Sequence, residues 1–148
     1  MTPNNEVDCD KLATYLSDNC RDLIEVLRFF VRIGATSIID KIAHASSPED
    51  LRNILSDEVT RVLESIRRSA HVDAEGRGIY KEEVRDRDVA YFKSLGVLKE
   101  EGGKKYIVVV VPSNPKESDL KVIEKAVKEC GVTDVASTLA LLARVRPR

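Results

Sequence analysis

The residues best able to do chemistry in this chain are two histidines, three cysteines and several neighbouring carboxylates. His44 and His71 are far apart, and neither lies in a metal-ligand pattern. We expect His44 to serve at a helix end and His71 to be solvated. Paired acids such as Glu82 and Glu83 diverge in a strand or a helix, and the chain holds no phosphate-binding glycine loop and no H-E-x-x-H motif. The sequence therefore predicts no catalytic residues, no metal and no cofactor, and thus not an enzyme.

The cysteines Cys9, Cys20 and Cys130 form an odd set without a C-x-x-C pair. Structural zinc sites depend on such closely spaced pairs, and a disulfide framework needs an even number of partners. On one helix, Cys9 and Cys20 would lie three turns apart, which is too far for a bond. We therefore expect all three thiols to be small apolar fillers.

The clustering of the basic residues indicates a binding function rather than catalysis. They cluster around a glycine-containing break and the strands that follow it, and again at the end of the chain. Because lysine and arginine clusters neutralise phosphate groups, we predict a nucleic-acid-binding surface. Its residues are Arg67, Arg68, Arg77, Lys81, Arg85, Arg87, Lys104 and Lys105, with Arg144, Arg146 and Arg148 in the tail.

Two observations leave an alternative to this surface open. Acidic residues interleave with the first basic group, and intermixed charges are also the ordinary pattern of a solvated surface, whereas the tail contains no acids. Aromatic residues near the same segment can stack on bases or pack in a small sheet, and we favour the core for Phe92. The others are Tyr80, Tyr91 and Tyr106.

The charges are unevenly distributed along the chain, although the net charge is only −1. Residues 1–60 hold 11 acidic and 6 basic side chains, and residues 61–148 hold 14 acidic and 18 basic ones. Glutamine is absent and 33% of residues are charged, a bias typical of proteins from very hot environments. No apolar run approaches the roughly 20 residues of a membrane helix, and the N-terminus lacks an export signal. We therefore expect a cytoplasmic protein from a thermophilic host.

The first half of the chain has helical periodicity. Apolar residues recur every three or four positions through residues 12–33, which predicts one amphipathic helix that stops at Gly34. A second, short helix follows. Ser47 and Pro48 then precede two acids, a typical helix start, so a third helix is predicted to reach about Arg68.

A sheet is predicted in the middle of the chain. Residues 70–78 contain two glycines and no periodicity, so the chain leaves helix there. Residues 79–84 read as a strand and residues 86–95 as a short helix. Residues 97–111 read as a hairpin with a glycine turn.

Two helices, capped by Ser118 and Thr133, are expected to close the chain. The predicted fold is mainly α with a small β element, a bundle of about five to six helices with an inserted β-hairpin or small antiparallel sheet. We expect a single domain, residues 1–148, with a helical body at residues 8–69 and 117–146 and a β subdomain at residues 76–113.

A winged-helix DNA-binding regulator, with the 97–111 hairpin as its wing, is the alternative. That fold requires two helices before the wing, the second of which enters the major groove. Only one helix, residues 86–95, precedes this hairpin directly, and its start is acidic rather than basic. The wing interpretation is therefore the second choice.

The segment of residues 27–68 resembles the helical block of the small subunit of the archaeal subtype I-A CRISPR interference complex. In that family an all-helical body carries a small, variable β element, and an alanine- and leucine-rich helix ending in arginines closes the chain. Residues 134–148 are similar to that ending. The likeness spans residues 24–148 and is weakest in the hairpin.

The resemblance implies a non-catalytic subunit of a crRNA-guided, Cascade-like antiviral surveillance complex. Such a subunit self-associates or lines the belly of the complex, contacts the large and backbone subunits, and helps to hold target DNA as a crRNA–DNA hybrid or a single strand. Base pairing reads the sequence in these complexes, while the proteins supply a basic path for the backbones. The family has no invariant active-site set to transfer, so the nucleic-acid-binding residues named above rest on charge alone.

Overall fold

The computed structural model describes residues 7–72 and 78–145. In these ranges the protein is mainly helical and contains a four-stranded antiparallel sheet, which confirms the predicted fold class. The helices share one apolar core, to which the inner face of the sheet contributes Val109. None of the helices in the described ranges combines the length and the apolar character that a membrane crossing requires.

The first predicted helix is two helices, α1 (Leu12–Asn19) and α2 (Arg21–Arg32), so the prediction of a single helix was wrong. A short 3₁₀ turn, Cys9–Lys11, precedes them. The chain bends at Cys20, whose φ of −135° and ψ of 51° are not helical. A side chain distant in sequence stabilises this bend by capping the start of α2. The Asp119 carboxylate accepts a hydrogen bond of 2.9 Å from the backbone N–H of Leu23.

The next helices follow the predicted pattern. Gly34 has a φ of +80° and stops α2, and α3 covers Ser37–Ala43. The hydroxyl of Ser47 accepts a hydrogen bond of 3.0 Å from the N–H of Asp50 and caps α4. The predicted third helix is continuous, but a π-helical segment interrupts its α-helical geometry. It consists of α4 (Pro48–Asn53), the π-helical segment (Ile54–Glu58) and α5 (Val59–Ser69).

The sheet has the strand order β1-β2-β4-β3, and all neighbours are antiparallel. It begins earlier than predicted, because His71 already pairs with Ile79. Gly102 and Gly103 both have positive φ and form the two-residue turn between β3 and β4, as the hairpin prediction required. The strands are β1 (His71–Val72), β2 (Gly78–Glu83), β3 (Leu98–Glu101) and β4 (Lys104–Val110), and α6 (Val89–Ser94) lies between β2 and β3.

Two helices close the described chain, α7 (Glu117–Cys130) and α8 (Val132–Arg144). The caps predicted for them were wrong. The N-cap positions are Lys116 and Gly131, so Ser118 and Thr133 lie inside the first turns. A helix start is set by the backbone as well as by side chains, and single-sequence signals place it only to within a residue or two.

The sheet is joined to the helical body by aromatic packing near the end of α2. Phe29 and Tyr80 meet edge to face with ring centroids 6.4 Å apart. Phe92 of α6 is buried, as expected, and packs over Gly34, where a Cβ atom would lie 3.5 Å from the ring. These contacts place α6 and the hairpin at the C-terminal end of α2.

Cys9 and Cys130 form a disulfide with their Cα atoms 5.6 Å apart, which overturns the prediction that all three cysteines are unpaired fillers. The prediction failed because spacing patterns detect only local pairs, and these cysteines are 121 residues apart in sequence. Cys20 is buried, and its thiol donates to the carbonyl oxygen of Leu16, as a small core residue would. Burial raises the pKa of the Cys20 thiol to about 12.

Candidate nucleic-acid interface

The outer face of the sheet carries two of the predicted lysines, each beside a glutamate. Lys81 Nζ lies 2.6 Å from Glu101 Oε2 and sits 4.6 Å from the ring centroid of Tyr106. The hydrogen bond between Lys81 and Glu101 raises the pKa of the lysine and lowers that of the glutamate, because it stabilises both charged forms. Lys104 Nζ is 4.0 Å from Glu83 Oε1. This face is thus nearly neutral rather than basic.

Arg67 lies at the junction between α5 and the sheet. Its guanidinium donates hydrogen bonds of 2.6 Å to the side-chain oxygen of Asn114 and 2.5 Å to the carbonyl oxygen of Pro112. These bonds fasten the loop after β4 to the end of α5. Arg67 therefore has a structural task that its sequence position did not reveal, and its neighbour Arg68 is exposed in the last turn of the same helix.

The other predicted arginines are dispersed. Arg144 ends α8, where its guanidinium is 2.8 Å from a carboxylate oxygen of Asp40 on α3. Arg87 Nε is 4.0 Å from Asp88, and Arg85 is exposed after β2. Three further predicted residues lie outside the described ranges, namely Arg77, Arg146 and Arg148. The described members of the predicted set are not brought together in one cluster.

One predicted lysine does belong to a basic cluster. Lys105 lines a hollow of about 350 Å³ between α6 and the hairpin, together with Lys93 of α6. Lys99 of β3 borders the same hollow, but its side chain lies on the outer face of the sheet, where the register pairs it with Tyr106. The sheet register places Glu100 opposite Lys105, and this is the carboxylate that lines the same hollow. None of the three lysines is within ion-pair distance of a carboxylate from residues 7–72 or 78–145. We call this cavity, with Lys93, Lys99 and Lys105 at its border, the hairpin hollow.

Of the aromatic residues considered for base stacking, Tyr91 is the most accessible, with 44% of its surface exposed. Its hydroxyl donates to the carbonyl oxygen of Val31 at 3.3 Å, and its ring meets Phe92 edge to face. Tyr80 is half-buried and donates its hydroxyl to Glu82, and burial raises the pKa of Tyr80. Tyr91 is therefore the most accessible of these rings for contact with a base, and the hollow that it lines also contains Glu82, Glu83 and Asp88.

Sequence reasoning missed three arginines on α2. Arg21, Arg28 and Arg32 lie along the exposed strip of a helix that is otherwise largely buried, and they line a hollow of about 340 Å³ with Ser17 of α1. The signal was present, because separations of seven and four residues place side chains on one helix face. It was overlooked because the first 60 residues are acidic overall and the prediction for this helix considered only its apolar positions.

His44 lies at a helix end and His71 is exposed, as predicted, although His71 belongs to a strand that the sequence analysis did not predict. His44 is the C-cap of α3, and its Nδ1 is 2.8 Å from the carbonyl oxygen of Asp40. His71 is exposed in β1. Within the ranges that the structure describes, no three histidine, cysteine or acidic side chains are grouped as a metal ion would need.

Comparison with known proteins gives no further identification. No protein-family model matches the chain, and neither a curated protein nor a solved structure matches it. The assignment of a function therefore depends on the geometry described above and on the resemblance carried by residues 27–68 and 134–148.

Proposed function

We propose that this protein is the non-catalytic small subunit of a crRNA-guided antiviral surveillance complex similar to the archaeal subtype I-A complex. It helps to assemble that complex in the cytoplasm and holds target DNA through basic side chains. The observation that carries the proposal is the hairpin hollow, which is lined by Lys93, Lys105 and one glutamate and bordered by Lys99. Such a site attracts phosphate groups whatever the base sequence.

The hollow is better suited to a nucleic-acid backbone than the rest of the predicted surface. Lys81 and Lys104 have glutamate neighbours, and a phosphate would have to compete with those carboxylates. Lys93 and Lys105 converge on the hollow from different elements, a helix and a strand. Their positions are set by the burial of Phe92 beneath α6 and of Ile107 in β4.

The helical body supports the assembly part of the proposal. The two segments that carry the resemblance extend from the second half of α2 into α5 and include most of α8, and α8 packs against α2 and α3. The resembling residues are thus one packed unit rather than scattered matches. A packed helical unit with a small charged sheet offers surfaces for contacts with larger subunits and with a guide–target hybrid.

A winged-helix regulator receives less support from the geometry. The helix before the hairpin, α6, has only six residues. Tyr91 donates a hydrogen bond to Val31 at the end of α2, and Phe92 packs beside Gly34, so α6 is held against the helical body. Replacement of Lys104 and Lys105 with alanine separates the two functions. A wing would lose specific duplex binding, whereas the proposed subunit would keep its protein partners.

The proposal is tested first with full-length protein and fluorescent single-stranded DNA of mixed sequence over a salt titration. We expect weak binding that falls with salt. The variant Lys93→Gln/Lys99→Gln/Lys105→Gln should reduce the slope of log K against log salt by about 2, because each lost single-strand phosphate contact removes about 0.7. The charge-matched control on α7 should leave it unchanged; it consists of Lys121→Gln, Lys125→Gln and Lys128→Gln.

The second test is co-expression with the large and backbone subunits of a subtype I-A complex, followed by gel filtration. Co-elution with these subunits is the expected result. Migration as a homodimer that protects a specific duplex sequence, with no affinity for those subunits, would contradict the proposal and favour a regulator.

A further inference from the structure

The exposed strip of α2 carries three arginines that the sequence analysis did not predict as a binding surface. The helix is buried along most of its circumference, and its core residues include Leu23, Leu27 and Phe30. Arg21, Arg28 and Arg32 occupy the strip that remains open to solvent, with Glu25 between the first two. We call these three arginines the α2 ridge.

The middle residue of the ridge is held in place by the protein itself. Arg28 Nε donates a hydrogen bond of 3.0 Å to the carbonyl oxygen of Leu142, near the C-terminal end of α8. That bond uses one donor and leaves the terminal guanidinium nitrogens to other acceptors. Arg28 and Arg32 are both half-buried, so their side chains lose less freedom on binding a ligand than fully exposed arginines would.

Three other arginines have carboxylate partners that the ridge arginines lack. Arg52, Arg61 and Arg144 are each within 4.0 Å of a carboxylate. No carboxylate of residues 7–72 or 78–145 forms an ion pair with a ridge arginine, even though Glu25 is one turn away. Arg21 is exposed, Arg28 and Arg32 are half-buried, and Glu25 is the one acid between them, so the strip has a net positive charge.

The dimensions of the ridge match a short run of phosphates. At 1.5 Å of rise per residue, Arg21 and Arg32 are about 16 Å apart along the helix axis. A stacked strand advances about 3.4 Å per nucleotide, so the ridge spans about five nucleotides. Guanidinium groups bind phosphate oxygens in a bidentate manner, which lysine cannot do.

The C-terminal end of the ridge lies beside an accessible aromatic ring. Tyr91 donates its hydroxyl to the carbonyl oxygen of Val31, the residue before Arg32, and its ring is accessible for stacking. Lys93 lies two residues further along α6 and lines a different hollow, because a two-residue step turns a helix by about 200°. The ridge and the Tyr91 ring are thus neighbours, and the hairpin hollow is a separate site.

We propose that the α2 ridge binds the phosphate backbone of a single nucleic-acid strand, with Tyr91 as the neighbouring ring for base stacking. This inference rests on the proposed function and adds a second binding site to it. A nucleic acid is favoured over an acidic protein segment because the accessible ring next to Arg32 offers stacking to a base, which an acidic peptide would not use.

The test measures binding of fluorescent mixed-sequence single-stranded DNA by the full-length protein and its variants. Arg21→Gln/Arg28→Gln/Arg32→Gln should lower the salt slope by about 2 and weaken binding about a hundredfold at 0.1 M salt. Because Arg28 also bonds to α8, the double variant Arg21→Gln/Arg32→Gln is measured as well. It should lower the slope by about 1.4, and its matched control, Arg52→Gln/Arg61→Gln, should not change it.

The outcomes separate this inference from the proposed function. Loss of DNA affinity in the hollow variant but not in either ridge variant overturns the ridge alone. Loss in the ridge variants but not in the hollow variant supports the ridge and removes the hollow as the observation behind the proposed function. A wild-type protein that binds no DNA overturns both. Binding of polyglutamate that depends on the ridge, with DNA binding unaffected, would assign the ridge to an acidic protein partner instead.

Discussion

Breaking the Cys9–Cys130 bridge should destabilise the protein strongly, and the variant Cys9→Ser/Cys130→Ser is the direct perturbation. The bridge connects the 3₁₀ turn before α1 to the last residue of α7, and it therefore closes a loop that contains most of the chain. In the unfolded chain such a constraint removes many conformations. Beside the bridge, the N–H of Val7 donates a hydrogen bond of 2.8 Å to Glu129, a weaker attachment that remains when the bridge is absent.

The magnitude follows from the length of the loop. With a sequence separation of 121 residues, the entropy of loop closure corresponds to about 5 kcal/mol of stability at 25 °C. For a chain of about 150 residues, each kcal/mol moves the unfolding midpoint by about 2–4 °C. The double variant should therefore unfold about 10–20 °C below the oxidised wild-type protein.

The assay is thermal unfolding followed by circular dichroism, with and without a phosphine reductant. The reductant should lower the midpoint of the wild-type protein to that of the double variant and should leave the double variant unchanged. Alkylation in denaturant followed by mass spectrometry should detect one reactive thiol, Cys20, before reduction and three after it. Three reactive thiols before reduction, or a reductant shift below about 2 °C, would refute the reasoning.

The remaining predictions concern single side chains. Asp119→Ala removes the acceptor for the N–H of Leu23 and should lower the free energy of unfolding by about 1–3 kcal/mol in urea titrations, whereas Asp119→Asn, which keeps an acceptor oxygen, should cost less. The pKa of Cys20 is raised to about 12, so the native thiol stays protonated while the unfolded one ionises above pH 9. Stability should therefore fall by about 1.4 kcal/mol per pH unit from pH 9 towards 12, and this part of the fall should be missing in Cys20→Ala. Arg67→Ala loses its bonds to the loop at Asn114 and should lower stability by about 1 kcal/mol, while the salt slope of DNA binding stays unchanged. An unaltered unfolding curve for Asp119→Ala, an equal alkaline loss in both Cys20 forms, or a reduced slope for Arg67→Ala would each contradict the corresponding argument.

Local patterns in the sequence were sufficient to predict most of the elements. The Ser47 cap, the Gly34 stop and the Gly102–Gly103 turn depend on the residue itself and its nearest neighbours, and all three are present in the structure. The break at Cys20 was not predictable in this way. It depends on Asp119, which is almost a hundred residues away and supplies a cap that no local pattern contains.

The candidate site was harder to predict because charge alone does not reveal partners. Lys81, Arg67 and Arg144 were chosen for their positive charge, but each is engaged with an acceptor on another element. The α2 ridge was missed for the converse reason, since averages over the acidic first part of the chain concealed three arginines on one face. Lys105 was named from the sequence, but its cluster depends on the register between β3 and β4.

The π-helical segment Ile54–Glu58 determines the rotational phase between the two halves of one long helix. Each residue of an α-helix turns the chain by about 100°, so deletion of one residue here would swing everything after it by that angle. Arg67 would then turn away from the carbonyl oxygen of Pro112 and the side-chain oxygen of Asn114, and it would lose its hydrogen bonds to both. A π-helical turn holds more residues than an α-helical turn. This wider turn therefore allows α4 to contact α7 while α5 contacts the sheet.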